Sequence, residues 1–303
     1  MSLTVVGSVA LDTIGTPSGK VEKVEGGSAT YASLAASYFT KPCLVGVVGT
    51  DTYDRFRKIF QKREIVIDAL IKKEGLTFHW EGEYQDDLND AITHSTCLNV
   101  FADFDPKLPE NYLKNPGVFL GNISPKLQLS VLKQCRKSML KAADTMNYWI
   151  STVIDQVWEV VPEVDIMFIN NKEALTLTGE KNLHRAAERI MERGLRYLVI
   201  KKGEFGVNLY GEGKLFCAPA YPLTDVKDPT GAGDCFAGGF LGYLCENLPI
   251  TFPKLKKACL YGTVMSSLNI EGFSIEKLLD IKRETIEERY RKLLEICDTG
   301  DIQ

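Results

Sequence analysis

The sequence predicts an α/β protein in which helices cover both faces of a mostly parallel sheet. Short apolar runs at residues 3–10 and 42–49 have the composition of buried strands. Segments 28–39 and 51–63 follow them with apolar residues at helical spacing, and Asp51 is a plausible cap for the second helix. Because strands separated by helices require crossover connections, this alternation favours parallel pairing in three layers.

The same alternation continues along the rest of the chain. Further apolar runs at 117–121, 164–170, 196–203 and 206–211 predict more strands, with helices between several of them. Segment 274–296 predicts a long amphipathic helix, or a pair of helices, with charged residues on the outer face. No Pro/Ser-rich linker and no internal repeat interrupts the chain, so we expect a single domain over residues 1–303.

Two segments, at about 12–25 and 77–104, do not follow this pattern. Both read as exposed strands, and the second contains the polar turn "QDDLND". We interpret them as a small β-sheet lid over the main sheet; the alternative is an ordinary hairpin at the edge of that sheet. Two lids could also pair along their open edges into a homodimer.

Composition excludes several classes of function. The net charge is -4 without a basic run, so nucleic acid is not an expected partner. The eight cysteines are scattered without a C-x-x-C pair, so neither a zinc site nor a disulfide framework is expected. The first residues read as a strand rather than a leader, and no apolar run has membrane-spanning length. We therefore expect a cytoplasmic enzyme that does not bind membranes.

The stretch "DPTGAGD" at 228–234 carries the clearest chemical signal. The small residues Gly231, Ala232 and Gly233 open an apolar helix, and the N–H groups of such a turn bind anions. Asp234 follows directly; it is either a residue favoured by the helix dipole or a base beside the anion. Phosphoryl transfer needs both an anion site and a base for the attacking hydroxyl. Neither a Walker loop nor a G-x-G-x-x-G after the first strand is present, which disfavours P-loop enzymes and dehydrogenases.

Four stretches together resemble the ribokinase (PfkB) carbohydrate-kinase family. "DPTGAGDCFAGGFLGYL" is similar to its second signature, and "GGSATYASLAASYF" to its first. "NNKEALTLTG" and "VIKKGEFGVNLYG" resemble the segments that lie between them. The resemblance runs from the first strand to about Leu268. It implies a ribokinase-like three-layer fold with a β-sheet lid, and a kinase that uses ATP and Mg²⁺.

The resemblance also implies roles on the nucleotide side. Asp234 would be the catalytic base, and Gly231, Ala232 and Gly233 would form the anion hole around the transferred phosphoryl group. Asn170 and Glu173 would hold Mg²⁺ through water, in keeping with the oxygen ligands and retained waters of this ion. The other residues implied at the nucleotide are Lys201, Gly203, Asp228 and Thr230. Asp228 would also be a possible ligand for a monovalent cation such as K⁺.

On the acceptor side the resemblance carries over less completely. Asp12 would accept hydrogen bonds from substrate hydroxyls, with Gly26 and Gly27 beside it. Tyr31 stands where the first signature usually has an asparagine that contacts the sugar, which puts a standard sugar contact in doubt. The remaining candidate substrate residues are Asn99 and Asp103 of the lid, and Asp144 and Asn147 at a predicted strand end.

The leading interpretation is thus an ATP-dependent kinase that phosphorylates a hydroxyl, of hydroxymethyl type, on a small sugar. One alternative is a nucleoside kinase, which Tyr31 and the aromatic residues of lid segment 77–104 would fit. The other is a non-catalytic sugar or nucleotide sensor. An intact Asp234 argues against a sensor, because a sensor has no need of a base.

Overall fold

A computed structural model describes residues 1–136 and 139–297. The strands are β1 (Ser2–Val6), β2 (Ala10–Thr16), β3 (Gly19–Gly26), β4 (Lys41–Gly49), β5 (Val66–Lys73), β6 (Phe78–Tyr84), β7 (Ala91–Cys97), β8 (Gly117–Leu120), β9 (Leu140–Ala143), β10 (Ile166–Asn170), β11 (Tyr197–Lys201), β12 (Val207–Gly211) and β13 (Lys214–Ala218). The α-helices are α1 (Ser28–Ala36), α2 (Tyr53–Lys62), α3 (Pro125–Gln134), α4 (Asn147–Thr152), α5 (Ile154–Val160), α6 (Asn171–Thr178), α7 (Leu183–Met191), α8 (Ala232–Glu246), α9 (Phe252–Asn269), α10 (Glu276–Asp280) and α11 (Arg283–Cys297).

The main sheet has nine strands in the order β13-β12-β11-β10-β9-β8-β1-β4-β5. All neighbours pair in parallel except β11 with β12 and β12 with β13, which are antiparallel. The predicted mostly parallel sheet is therefore confirmed. Because parallel strands end at a common edge, the residues that follow β9, β10 and β11 meet there.

Helices cover both faces of this sheet, which confirms the three-layer prediction. One buried cluster joins the sheet to α1, α2, α8, α9, α10 and α11. A second cluster on the other face joins it to α3, α5, α6 and α7. The C-terminal segment forms two helices, α10 and α11. No described helix is long and apolar enough to cross a membrane.

The lid is a separate four-stranded sheet in the order β3-β2-β6-β7. Its strands lie within 10–26 and 78–97, and a short 3₁₀ helix, Asn99–Asp103, follows. Since the sheet shares no strand with the main sheet, the interpretation as an ordinary edge hairpin is wrong. Pairing of two lids into a homodimer stays a prediction.

Two local expectations are wrong. Residues 3–10 do not form one strand, because β1 ends at Val6 and the chain crosses to the lid before β2 begins. Asp51 does not cap α2, whose N-cap is Thr52. The Asp51 carboxylate instead accepts hydrogen bonds from the N–H and hydroxyl of Thr77, at 3.0 Å and 2.7 Å. It thus ties the start of the second lid segment to the main sheet.

Candidate active site

The glycine turn forms the N-terminal end of α8. Gly231 is the N-cap with φ +73°, in the left-handed region that favours glycine, and no side chain caps this end among the described residues. A Cβ on Gly231 would lie 2.3 Å from the Tyr31 ring. Tyr31, fully buried on α1, therefore packs directly against the turn. The uncapped N–H groups and the helix dipole make this end of α8 suited to an anion.

Asp234 lies in the first turn of α8. Burial and the nearby Asp144 carboxylate raise the pKa of Asp234 to about 7, while the charge of Lys201 opposes this rise. A carboxyl group with a pKa near neutrality is suited to accept a proton from a hydroxyl during catalysis. The anion-binding turn and a base of suitable pKa are thus adjacent.

Lys201 and Asp144 form a buried ion pair at the carboxyl edge of the main sheet. Lys201 Nζ lies 2.6 Å from Asp144 Oδ2, and the two side chains are 18% and 7% exposed. The same Nζ lies 2.9 Å from the position that a Cβ on Gly233 would take. Burial alone would lower the pKa of Lys201, but the carboxylates of Asp144 and Glu173 raise it above its ordinary value. Lys201 is therefore a fixed positive charge beside the turn, and Asp144 holds it there.

Asn170 and Glu173 form a capping box at the start of α6. Asn170 Oδ1 accepts a hydrogen bond from Glu173 N, and Glu173 Oε2 accepts one from Asn170 N, both at 2.8 Å. The main-chain N–H of Asn147 also lies near the Glu173 carboxyl group, while Asn147 itself is exposed. Burial and the Asp144 charge raise the pKa of Glu173 to about 7. The N-x-x-E pattern thus starts the helix and leaves a buried carboxyl near Lys201.

Asp12 is the buried acid on the lid side of the site. A Cβ on Gly26 would lie 1.8 Å from Asp12 Oδ2, so only glycine leaves room for this carboxyl group. The main-chain N–H of Gly27 lies near this carboxyl group. Burial and the charge of Asp228 raise the pKa of Asp12 to about 8. Among the described residues, no basic side chain is one of the groups that shift the pKa of Asp12, and its contact with a substrate hydroxyl stays a prediction.

Tyr84, on lid strand β6, is a site residue that the sequence analysis did not select. The Thr230 hydroxyl donates to the Tyr84 hydroxyl at 3.4 Å, and burial raises the Tyr84 pKa. The charges of Asp12, Asp228 and Asp234 also act on it. In the sequence Tyr84 is one of several lid aromatics. The only sequence signal that distinguishes Tyr84 is its position at the end of a predicted alternating strand.

Asp228 organises the loop before α8. Its carboxylate is fully buried and accepts hydrogen bonds from Thr230 N at 2.9 Å and Ser274 N at 2.8 Å. Among the described residues no basic side chain pairs with it. A buried carboxylate without a counter-charge is compatible with a monovalent cation, and that role stays a prediction.

Three predicted site residues have other neighbours in the structure, and their roles at the site stay predictions. Asp103 is exposed and pairs with Lys73 at 2.9 Å. Asn99 donates its side-chain amide to the carbonyl of Thr77 at 2.8 Å. Gly203 has φ +55°, and a Cβ there would lie 2.9 Å from Asn89 Oδ1, in the lid turn. Within the described residues, no hydrogen bond or ion pair joins these three residues to Asp12, Asp144 or Asp234.

The donor set fits ATP and Mg²⁺. Side chains at Gly231 and Gly233 would collide with Tyr31 and Lys201, so glycine lets the turn, whose N-terminal N–H groups have no side-chain cap among the described residues, lie this close to both. Glu173 supplies a carboxylate of the kind that Mg²⁺ contacts directly or through water. In the part of the chain that the structure describes, no group of three or more His, Cys, Asp or Glu residues surrounds a metal position.

Comparisons with known proteins agree with this geometry. A family model described as pfkB family carbohydrate kinase matches residues 2–277. The cytidine kinase of Thermococcus kodakarensis is 30% identical over 256 residues, which cover 82% of this chain and 91% of that protein. The nucleoside kinase of Methanocaldococcus jannaschii has a similar fold, with a TM-score of 0.79, 21% identity, and coverage of 96% of this chain and 98% of that one. Arabidopsis thaliana ribokinase complexed with ribose and ATP also has a similar fold, with a TM-score of 0.76, 18% identity, and coverage of 95% of this chain and 98% of that one.

The two solved structures share too little sequence with this chain to establish more than the fold. The family model, however, spans most of the chain and includes the glycine turn, the N-x-x-E segment and the first signature. The protein therefore belongs to the PfkB family of carbohydrate kinases and is a phosphotransferase.

Proposed function

We propose that the protein transfers the γ-phosphoryl group of ATP to a hydroxymethyl group of a small sugar, either free or as the sugar of a nucleoside. One observation carries the proposal: Asp234 lies at the uncapped end of α8 with a pKa of about 7. The ATP in the Arabidopsis ribokinase structure supports the choice of phosphoryl donor.

Each group would have one role in the transfer. Asp234 accepts the proton of the attacking hydroxyl as the new oxygen–phosphorus bond forms, while the bond from the γ-phosphorus to the β–γ bridging oxygen breaks and ADP leaves. The N–H groups of the glycine turn and the Lys201 ammonium stabilise negative charge on the phosphoryl oxygens. Asp12 accepts hydrogen bonds from ring hydroxyls and so orients the acceptor. Mg²⁺, held near Glu173 through water, would neutralise charge on the triphosphate when bound.

Asp234→Asn tests the proposal, with Asp225→Asn as the matched control on the exposed loop that leads to the same turn. ADP release from Mg-ATP is measured against a panel of pentoses, hexoses, inositols and nucleosides, in K⁺ or Na⁺ at equal ionic strength. We expect one class of acceptor to stimulate turnover, and Asp234→Asn to lower kcat by ~10²–10⁴ with ATP binding retained.

Two results would contradict the proposal. Full turnover in Asp234→Asn would remove this residue from the role of base. If no acceptor stimulates turnover although the protein binds ATP and a sugar or nucleoside, the protein is a sensor on a kinase fold.

A further inference from the structure

The inner face of the lid carries an aromatic side chain beside Asp12. Strands β2 and β6 pair in parallel, and Asp12 lies opposite Trp80. Since side chains alternate along a strand, Trp80 and Tyr84 lie on the same face of β6. Tyr84 contacts Thr230 of the glycine turn, which identifies this face as the one directed at the active site.

The opposite face of the lid is charged. Glu81 lies 3.7 Å from Lys20, and Glu83 lies 3.4 Å from His94. Both glutamates alternate with the aromatic residues of β6. The strand is therefore two-sided, with charged side chains outward and aromatic side chains toward the site.

The Trp80 indole is fixed in place by the lid itself. A Cβ on Gly82 would lie 2.4 Å from Trp80 Cζ2, so the ring extends along the strand over this glycine. The indole N–H donates to Thr93 Oγ1 at 3.2 Å. Because the one polar atom of the ring already has a partner within the lid, the apolar ring surface is what Trp80 can offer to a substrate.

The geometry of a nucleoside matches this arrangement. Its base is bonded to the carbon next to the one that carries the 2′-hydroxyl. If Asp12 accepts a hydrogen bond from that hydroxyl, the base lies within a few ångströms of the carboxyl group. Neighbouring strands are about 4.8 Å apart, and the indole leans from β6 toward Thr93 of β7, so a base would extend from a sugar at Asp12 across β6 to reach the ring. A free sugar lacks the planar aromatic base that would stack on the face of this ring.

We propose that Trp80 is a specificity-determining residue that stacks on the base of a nucleoside acceptor. The proposal rests on the proposed function, because the sugar of that nucleoside must lie between Asp12 and Asp234. Stacking suits any base, since every base has an aromatic face, so Trp80 selects nucleosides as a class over free sugars.

Steady-state kinetics with cytidine, adenosine and D-ribose test this in wild type, Trp80→Ala and Trp80→Phe. Glu83→Gln, on the outer face of the same strand, is the matched control. We expect nucleosides to be better acceptors than ribose for wild type. Trp80→Ala should raise the KM for nucleosides roughly 10- to 100-fold with little change in kcat, and leave ribose unaffected. Trp80→Phe should retain most of the nucleoside preference.

A binding measurement separates this inference from the proposed function. The chain has three tryptophans, so Trp149→Phe/Trp158→Phe leaves Trp80 as the only indole. We expect cytidine and adenosine, but not ribose, to quench its fluorescence. Quenching of Trp80 fluorescence by nucleosides without turnover would contradict the kinase proposal and support the stacking role of Trp80. Equal use of ribose and nucleosides by wild type, equal loss of both in Trp80→Ala, or absence of quenching would overturn the assignment of Trp80.

Discussion

Gly231→Ala should damage both stability and turnover, because the structure opposes a side chain there for two separate reasons. The φ of +73° is unfavourable for alanine, at a cost of about 1–2 kcal/mol. The new Cβ would also lie 2.3 Å from the ring of Tyr31, which is 1% exposed and has no space to retreat into. Overpacking of this kind costs about 1–3 kcal/mol.

These costs convert into a measurable change in melting temperature. For 303 residues, an unfolding entropy near 2.1 cal/mol/K per residue corresponds to about 1.6 °C for each kcal/mol. Gly231→Ala should therefore lower Tm by about 3–8 °C in scanning calorimetry. Displacement of the N–H groups of the turn should also lower kcat by ~10²–10³ in the ADP-release assay.

Gly179→Ala is the matched control. Gly179 ends α6 with φ +71°, and nothing lies within 4 Å of its Cβ position. This variant reports the backbone cost alone, so Tm should fall by about 2–3 °C and kcat should not change. The double variant Gly231→Ala/Tyr31→Leu should lose less stability than the two single changes added together. An equal Tm loss at Gly231 and Gly179, or strict additivity with Tyr31→Leu, would refute the steric argument.

Three further predictions follow from the buried acids. kcat/KM should fall as the pH drops below about 7, because Asp234 must be ionised to accept a proton. Since the charge of Lys201 lowers the Asp234 pKa, Lys201→Gln should move this acidic limb of the pH profile to higher pH. The pKa of Asp12 is about 8 in the folded protein, against its ordinary value of 3.8 in the unfolded chain. Between these values only the folded state holds the proton, so wild-type stability falls as pH rises from about 4 to 8. Asp12→Asn should therefore raise Tm most at pH 8 and above while raising the acceptor KM, and an equal Tm gain at pH 4 would contradict this. In Glu173→Gln the amide oxygen can still accept the hydrogen bond from Asn170 N–H, so Tm should change little. Half-maximal activity should need roughly tenfold more Mg²⁺. An unchanged Mg²⁺ requirement would show that Glu173 does not help to hold the ion.

The sequence determined those features that a short stretch of chain can build alone. The glycine turn with its acid is a local helix start, and so is the capping box of Asn170 and Glu173. The alternation of strands and helices gave the parallel sheet, because crossover connections follow from the order of elements. The lid was recognisable because its strands alternate rather than run apolar throughout.

Only the tertiary structure decided which distant side chains meet. Asp144 and Lys201 are 57 residues apart in the chain and pair because β9, β10 and β11 end at one edge of the sheet. Tyr84 and Thr230 are 146 residues apart and meet because the lid folds over α8. Asn99 bonds to Thr77 and Asp103 pairs with Lys73, contacts that the sequence does not indicate. A sequence pattern records which face of a strand or helix a residue occupies, but the partner across that face is set by how the elements pack.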